Sequence, residues 1–194
     1  MANKKINIGL IGLGNIGSYF FKSVISNKKI IALKTGKEPI IKYISARKKS
    51  KKRAIKFNNA MWVDDPIKLV KKKDVNIIVE LVGGSKGIAK KIVYEALKNK
   101  KNVITANKSL IASHGDELAK LAEKNNVNLE YEASVAGGIP VLRSIKEGLV
   151  ANKISKISGI LNGTSNFILS TMTNNKKKFV DALNDAKTYG YTES

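Results

Sequence analysis

Three closely spaced glycines near the start of this 194-residue chain constrain its fold more than any other feature. Gly12, Gly14 and Gly17 have the spacing G-x-G-x-x-G. They follow an apolar run of strand length at 6–11 and precede apolar residues at helical spacing. At such a junction the first glycine allows a tight turn, the second lets the backbone approach a pyrophosphate, and the third lets helix and strand pack closely. A glycine-rich turn without a ligand is the alternative, but the context favours dinucleotide binding.

Strand-like and helix-like segments alternate along the chain. Strands are predicted at 6–11, 40–46, 75–81, 102–106 and 127–133. Helical patterns separate them, and the first is predicted as one helix over 16–35 that stops at Gly36. Another helix is predicted to begin at Pro66, with Asp65 as its N-cap. This alternation predicts an α/β fold with a doubly wound, mostly parallel sheet of the Rossmann type.

The net charge of +21 raises the question of a nucleic-acid partner. The lysines are, however, spread along the chain, and the aromatic residues, 6% of the total, do not interleave with the basic runs as a stacking platform requires. We therefore expect no nucleic-acid partner, although the charge should attract anionic small molecules.

Cysteine is absent and no apolar run reaches the roughly 18 residues of a membrane span. These features predict a globular protein of the cytoplasm with no membrane partner and no thiolate metal site. They also exclude an aldehyde dehydrogenase that uses a cysteine nucleophile, unless a further segment supplies one.

The end of the second predicted strand bears on the choice of cofactor. NAD-specific folds usually carry an acidic residue at this place, which binds the ribose 2′-hydroxyl. Here the sequence reads ARKKSKKR, and Arg47 and its basic neighbours would instead attract a 2′-phosphate. The pattern favours NADP over NAD, with a solvated basic loop as the alternative.

Three further stretches follow predicted strands, where ligands bind in sheets of this kind. Gly83 in ELVGG allows close approach of a ligand to the backbone, and Glu132 begins the stretch EASVAGGIP. Asn107 and Lys108 in TANKS could contact a cofactor ribose or a substrate. Equally, Asn107 could cap the next helix and Lys108 could point to solvent.

Six stretches together resemble the homoserine dehydrogenase family: GLIGLGNIGS, VELVGG, ITANKSLIA, YEASVAGGIPVL, GILNGTSNFIL and YGYTES. They occur in the order and spacing of that family and cover nearly the whole chain. The resemblance implies an enzyme that interconverts L-homoserine and L-aspartate 4-semialdehyde with NAD(P), on the route to threonine and methionine.

The resemblance also implies roles for individual residues. Lys108 would contact the cofactor near the reaction centre and assist catalysis, Gly190 would approach the cofactor, and Glu193 would bind the substrate amino group. A sodium ion would be bound by Glu132 and by the backbone carbonyls of Val135, Gly137 and Ile139. The pyrophosphate would be held by Gly12, Gly14, Asn15, Ile16 and Gly17.

By the same resemblance, residues 1–131 form an NAD(P)-binding domain and residues 132–194 begin an α+β catalytic and dimerisation domain. The proton-transferring lysine of the family is expected beyond Ser194, so this chain alone should bind cofactor but turn over poorly. The complete protein would be a homodimer or homotetramer. Two alternatives remain open: another Rossmann-fold oxidoreductase of a small substrate, and a nucleotide-binding module without catalysis.

Overall fold

A computed structural model of the chain describes residues 4–49, 55, 57 and 59–191. Its strands form one six-stranded sheet among these residues, in the order β3-β2-β1-β4-β5-β6, and every neighbouring pair is parallel. The strands are β1 (Lys4–Ile11), β2 (Lys37–Ser45), β3 (Met61–Trp62), β4 (Ile77–Glu80), β5 (Asn102–Thr105) and β6 (Leu129–Glu130). The strand order reverses between β1 and β4, so the predicted doubly wound fold is confirmed.

Helices connect these strands. They are α1 (Asn15–Ser26), α2 (Lys28–Thr35), α3 (Pro66–Val70), α4 (Ile88–Lys98), α5 (Lys108–Lys124), α6 (Val141–Arg143), α7 (Gly163–Asn175) and α8 (Phe179–Thr188). A 3-10 turn at Glu132–Ser134 follows β6, and a π-helical turn at Ser144–Gly148 follows α6. No helix in the described part of the chain combines the length and the apolar character needed to cross a membrane.

The core lies on both faces of the sheet because side chains alternate along each strand. On one face, Val79 of β4 packs with Phe21 and Val24 of α1. On the other, Ile78 of the same strand belongs to a cluster that includes Ile92 of α4. Helices therefore cover both sides of the strands and leave the strand ends available to build a site.

Two capping residues lie at helix ends where the sequence predicted them. Gly36 ends α2 with a left-handed φ of 66°, and the side chain of Asp65 accepts a hydrogen bond from the Ile67 N–H, 2.8 Å away. The prediction of one helix over 16–35 is wrong, because the helix is interrupted at Asn27, between α1 and α2. The Asn27 side chain donates to the carbonyl of Ser23 at 3.0 Å, which places it at the end of α1.

The sheet differs from the prediction at its two edges. One edge strand, β3, was not predicted; it adds two residues beside β2. The strand predicted at 127–133 is only Leu129–Glu130, and Glu132 lies in the 3-10 turn that follows.

The chain divides into two compact units, Met1–Gly148 and Leu149–Ser194. The predicted boundary after residue 131 rests on the resemblance and remains a prediction. In the second unit, α7 and α8 pack through Ile168, Ala182 and Ala186. The side chain of Asn162 caps α7 by accepting from the Ser165 N–H at 2.8 Å.

Candidate cofactor site

The glycine turn between β1 and α1 is closely packed at its first and third glycines. Gly12 has a φ of 102°, and a Cβ atom there would lie 2.6 Å from the carbonyl carbon of Leu81 in the chain segment after β4. A Cβ atom on Gly17 would lie 2.9 Å from the carbonyl carbon of Gly12. Both neighbours are backbone atoms, so these two glycines are required by the fold itself.

Gly14 differs from both of them. Its φ of −76° suits any residue, and a Cβ atom there would meet no protein atom within 4 Å. Gly14 is the N-cap of α1, and its carbonyl accepts the N–H of Ser18 at 2.9 Å. The amides of Asn15, Ile16 and Gly17 therefore precede the hydrogen-bond ladder of the helix, as in helix N-termini that bind anions.

Two cavities meet at this edge of the sheet, because Leu81 and Val82 line both. The first has a volume of about 460 Å³ and is lined by Gly12, Leu13, Gly14, Ala46, Arg47, Lys48, Leu81 and Val82. The second has a volume of about 190 Å³ and is lined by Ile16, Leu81, Val82, Gly83, Ala106 and Asn107. The structure thus brings the glycine turn together with Arg47, Gly83 and Asn107, which were singled out from separate parts of the sequence.

The basic stretch after β2 contributes two cations to the first cavity. Arg47 and Lys48 line it and are exposed. Residues 50–54 of this stretch lie outside the described part of the chain.

The segment 105–107, here called the β5 turn, is held by side-chain hydrogen bonds. Asn107 accepts the N–H of Leu110 at 3.1 Å, which confirms its alternative role as the cap of α5. Its amide nitrogen also donates to the carbonyl of Gly84 at 2.8 Å. Lys108 is the exposed first residue of α5, next to Asn107 in the wall of the second cavity.

Sequence reasoning missed Glu80, the last residue of β4. Its side chain is fully buried and accepts three hydrogen bonds. One carboxylate oxygen accepts from the N–H groups of Val82 and Gly83, at 2.7 and 3.2 Å, and the other from the hydroxyl of Thr105 at 2.6 Å. The only signal in the sequence was one acidic residue at the end of an apolar strand.

The predicted sodium ligands lie in the turn after β6. Both oxygens of Glu132 accept backbone N–H groups, from Leu142 at 3.0 Å and from Arg143 at 2.9 Å. The carbonyl of Ile139 accepts the N–H of Val141 at 2.8 Å. Each oxygen keeps a further lone pair, and a set of one carboxylate and backbone carbonyls suits a hard cation. The residues therefore fit such an ion, and the site remains a prediction.

The other predicted site residues belong to the second unit. Gly190 follows α8 with a φ of 73°, and its N–H donates to the carbonyl of Lys187 at 3.0 Å. The hydroxyl of Thr164 donates to the carbonyl of Tyr191. Glu193 lies outside the described residues. The proposed contacts of Gly190 with the cofactor and of Glu193 with the substrate remain predictions.

Two family models match the chain. The NAD binding domain of homoserine dehydrogenase matches residues 12–132, and the model described as homoserine dehydrogenase matches residues 140–194. The chain is 46% identical over 191 residues to homoserine dehydrogenase of Neisseria gonorrhoeae, a match that covers 98% of this chain and 43% of the relative.

Solved structures agree with these matches. A crystal structure of S. aureus homoserine dehydrogenase at pH 7.5 superposes with a TM-score of 0.82 at 44% identity, covering 100% of this chain and 45% of that one. A hyperthermophilic archaeal homoserine dehydrogenase in complex with NADPH superposes with a TM-score of 0.79 at 28% identity, covering 98% of this chain and 63% of that one. The chain spans less than half the length of the curated relative from N. gonorrhoeae.

Proposed function

This chain belongs to the homoserine dehydrogenase family, and from that premise we propose that it binds a nicotinamide dinucleotide at the carboxyl edge of its sheet. In the complete enzyme, the bound cofactor serves the interconversion of L-homoserine and L-aspartate 4-semialdehyde, on the route to threonine and methionine. The nicotinamide ring carries the hydride when the cofactor is bound, and the protein supplies binding, orientation and electrostatics.

The open space at Gly14, where the glycine turn lines the larger cavity at the start of α1, is the observation that carries this proposal. Packing accounts for Gly12 and Gly17, but it does not account for a glycine at position 14, where a side chain would meet no protein atom. A pyrophosphate at the start of α1 accounts for it, because the phosphate oxygens would occupy the space of the side chain. The amides of Asn15, Ile16 and Gly17 would then donate to those oxygens.

The positions of Arg47 and Lys48 support a preference for NADP. Both cations line the cavity that begins at the glycine turn, and β2 ends in Ser45 rather than in an acidic residue. Arg47 would pair with a 2′-phosphate through charge-assisted hydrogen bonds. The archaeal relative solved with NADPH is consistent with this choice.

The remaining roles follow the family resemblance. Lys108 at the start of α5 would place a cation near the nicotinamide ring, Gly190 would approach the cofactor, and Glu193 would bind the substrate ammonium group. A sodium ion would be bound by Glu132 and by the carbonyls of Val135, Gly137 and Ile139.

A homodimer or homotetramer is also proposed. This proposal rests on the family resemblance. Light scattering coupled to size-exclusion chromatography measures the oligomeric state directly.

Cofactor titration tests the proposal. NADPH and NADH are titrated by fluorescence against the wild type, Arg47→Ala and Lys91→Ala. The Lys91→Ala variant is the matched control, because it removes one exposed positive charge from α4. We expect tighter binding of NADPH, and a loss of about 1.5–3 kcal/mol for NADPH alone in Arg47→Ala. Equal affinities of the wild type for both cofactors contradict the NADP preference, and no binding of either contradicts the site.

Catalysis separates the enzyme from the alternative of a nucleotide-binding module. The assay follows NADPH formation from NADP in the complete enzyme with and without L-homoserine. Formation that depends on L-homoserine supports the proposed reaction. Cofactor binding without such turnover supports the binding module.

A further inference from the structure

Glu80 is a buried carboxylate that no ligand can reach, since its side chain is fully enclosed. Its position is nevertheless next to the candidate cofactor site, at the end of β4. The hydroxyl of Thr105 accepts the N–H of Asn107 at 3.0 Å, so its own hydrogen is available to Glu80. The carboxylate therefore acts as the acceptor in all three of its hydrogen bonds.

These bonds join two neighbouring chain segments. Residues 81–84, here called the β4 turn, donate two of them from backbone N–H groups, and the β5 turn donates the third from the Thr105 hydroxyl. Asn107 adds a direct link to the carbonyl of Gly84. Both turns line the smaller cavity, and the β4 turn lines the larger one as well.

The β4 turn needs such a restraint. Gly83 and Gly84 have φ values of 85° and 88°, and neither has a neighbour within 4 Å of the place where a Cβ atom would lie. Packing at these two glycines does not fix the turn, since they have no side chains. The two N–H groups that Glu80 accepts, together with the bond from Asn107 to the Gly84 carbonyl, therefore hold the backbone of the turn against β5.

We propose that Glu80 is a positioning residue for the cofactor: it fixes the β4 and β5 turns in the arrangement that the dinucleotide binds. This inference rests on the proposed function, since it concerns the same cofactor. It adds a residue that does not contact the cofactor and acts through the backbone of Val82 and Gly83 and through Thr105.

Two substitutions of Thr105 separate this role from a general contribution to stability. Thr105→Val keeps the shape but removes the hydroxyl, whereas Thr105→Ser keeps the hydroxyl but removes a buried methyl group. Both should lower the midpoint of thermal unfolding. We expect the Kd for NADPH to rise about tenfold in Thr105→Val and to stay within about twofold of the wild type in Thr105→Ser. Equal Kd values for the two variants overturn the proposal.

Hydrogen exchange gives a readout that needs no cofactor. In Thr105→Val the amides of Val82 and Gly83 should exchange faster than in Thr105→Ser, because the carboxylate that accepts them has lost one of its restraints. Unchanged exchange at both amides overturns the proposal.

A second pair covers the case in which Thr105→Val does not fold. Glu80→Gln keeps the length of the side chain, and its carbonyl oxygen still accepts from the β4 turn. Its amide can donate to the remaining lone pair of the Thr105 oxygen, but it cannot accept the Thr105 hydroxyl hydrogen, so its Kd for NADPH should lie between those of the wild type and Glu80→Asp. Glu80→Asp keeps the charge but is too short to reach both turns, and its Kd should be about tenfold higher than that of Glu80→Gln. Equal Kd values in this pair likewise overturn the proposal.

The wild type separates this inference from the proposed function. If it binds neither NADPH nor NADH, the proposed function fails and this inference fails with it. If it binds NADPH and neither pair of variants differs, only the role of Glu80 is wrong.

Discussion

Replacing Gly14 and Gly17 by alanine should separate the part of the glycine turn that serves the fold from the part that serves the ligand. At Gly17 the new Cβ atom would lie 2.9 Å from the carbonyl carbon of Gly12 and closer still to its oxygen. No rotamer relieves this overlap, because both partners are backbone. Overpacking of this kind costs about 3 kcal/mol or more of unfolding free energy, which lowers the Tm by roughly 6–12 °C for a chain of this size.

Gly14→Ala should leave stability nearly unchanged. The backbone at Gly14, with φ −76° and ψ −161°, accepts alanine, and the substitution gains about 0.4–1 kcal/mol by restricting the unfolded chain. Alanine is a poorer N-cap than glycine, which offsets a similar amount. The cofactor affinity should nevertheless fall at least about 100-fold, because displacing the pyrophosphate loses two or more charge-assisted hydrogen bonds of about 1.5–3 kcal/mol each.

The assay combines thermal unfolding by circular dichroism with NADPH titration. Gly148→Ala is the matched control, since that glycine has a negative φ and open space around it and lies in no proposed site. Wild-type affinity in Gly14→Ala would refute the reasoning about the pyrophosphate. Equal stability of Gly14→Ala and Gly17→Ala would refute the reasoning about close packing.

Three further substitutions test individual carboxylates. Glu132→Gln should abolish any extra thermal stability that sodium chloride gives over choline chloride, and an unchanged sodium effect contradicts the ion site. Asp65→Ala should lower the unfolding free energy by about 1 kcal/mol in urea titrations, because α3 loses its N-cap, and no change contradicts the capping role. Hydrogen bonds from Lys42, at 2.7 Å, and Tyr43, at 2.9 Å, lower the pKa of Asp74. The stability from Asp74 is thus complete above its unfolded pKa of about 3.9 and is lost as the pH falls through the lower folded value. Asp74→Asn should therefore flatten the acid end of the stability profile, and an identical profile contradicts this.

Much of the fold was predictable because short-range signals determine it. Gly36, Asp65 and Asn107 act on backbone groups within a few residues of themselves, and each ends or begins a helix where the sequence predicted one. The break at Asn27 was missed because the apolar spacing continues across it. The strand β3 was missed because two residues are too few for a period-two pattern to register, whereas β6 was predicted, but over 127–133 instead of its two residues.

The site was predictable to the extent that its residues lie beside strand ends. Gly12, Gly14 and Arg47 could be assigned to one edge of the sheet, because parallel strands end together there. Glu80 could not be assigned, because its partner Thr105 is 25 residues away and its burial depends on the packed sheet. A single acidic residue after an apolar strand has the same appearance in the sequence whether it is exposed or enclosed.

Few of the residues behind the net charge of +21 lie in the walls of the two cavities. Among the described residues that line them, Arg47 and Lys48 are the charged ones, and the others are apolar, glycine or amide residues. Recognition of the pyrophosphate, which NAD and NADP share, would therefore depend on backbone amides, whereas discrimination between them would depend on two cations at the end of β2. A change in the glycine turn should accordingly weaken both cofactors alike, and a change at Arg47 should weaken one. The two effects are separable because they involve different elements, the start of α1 and the end of β2.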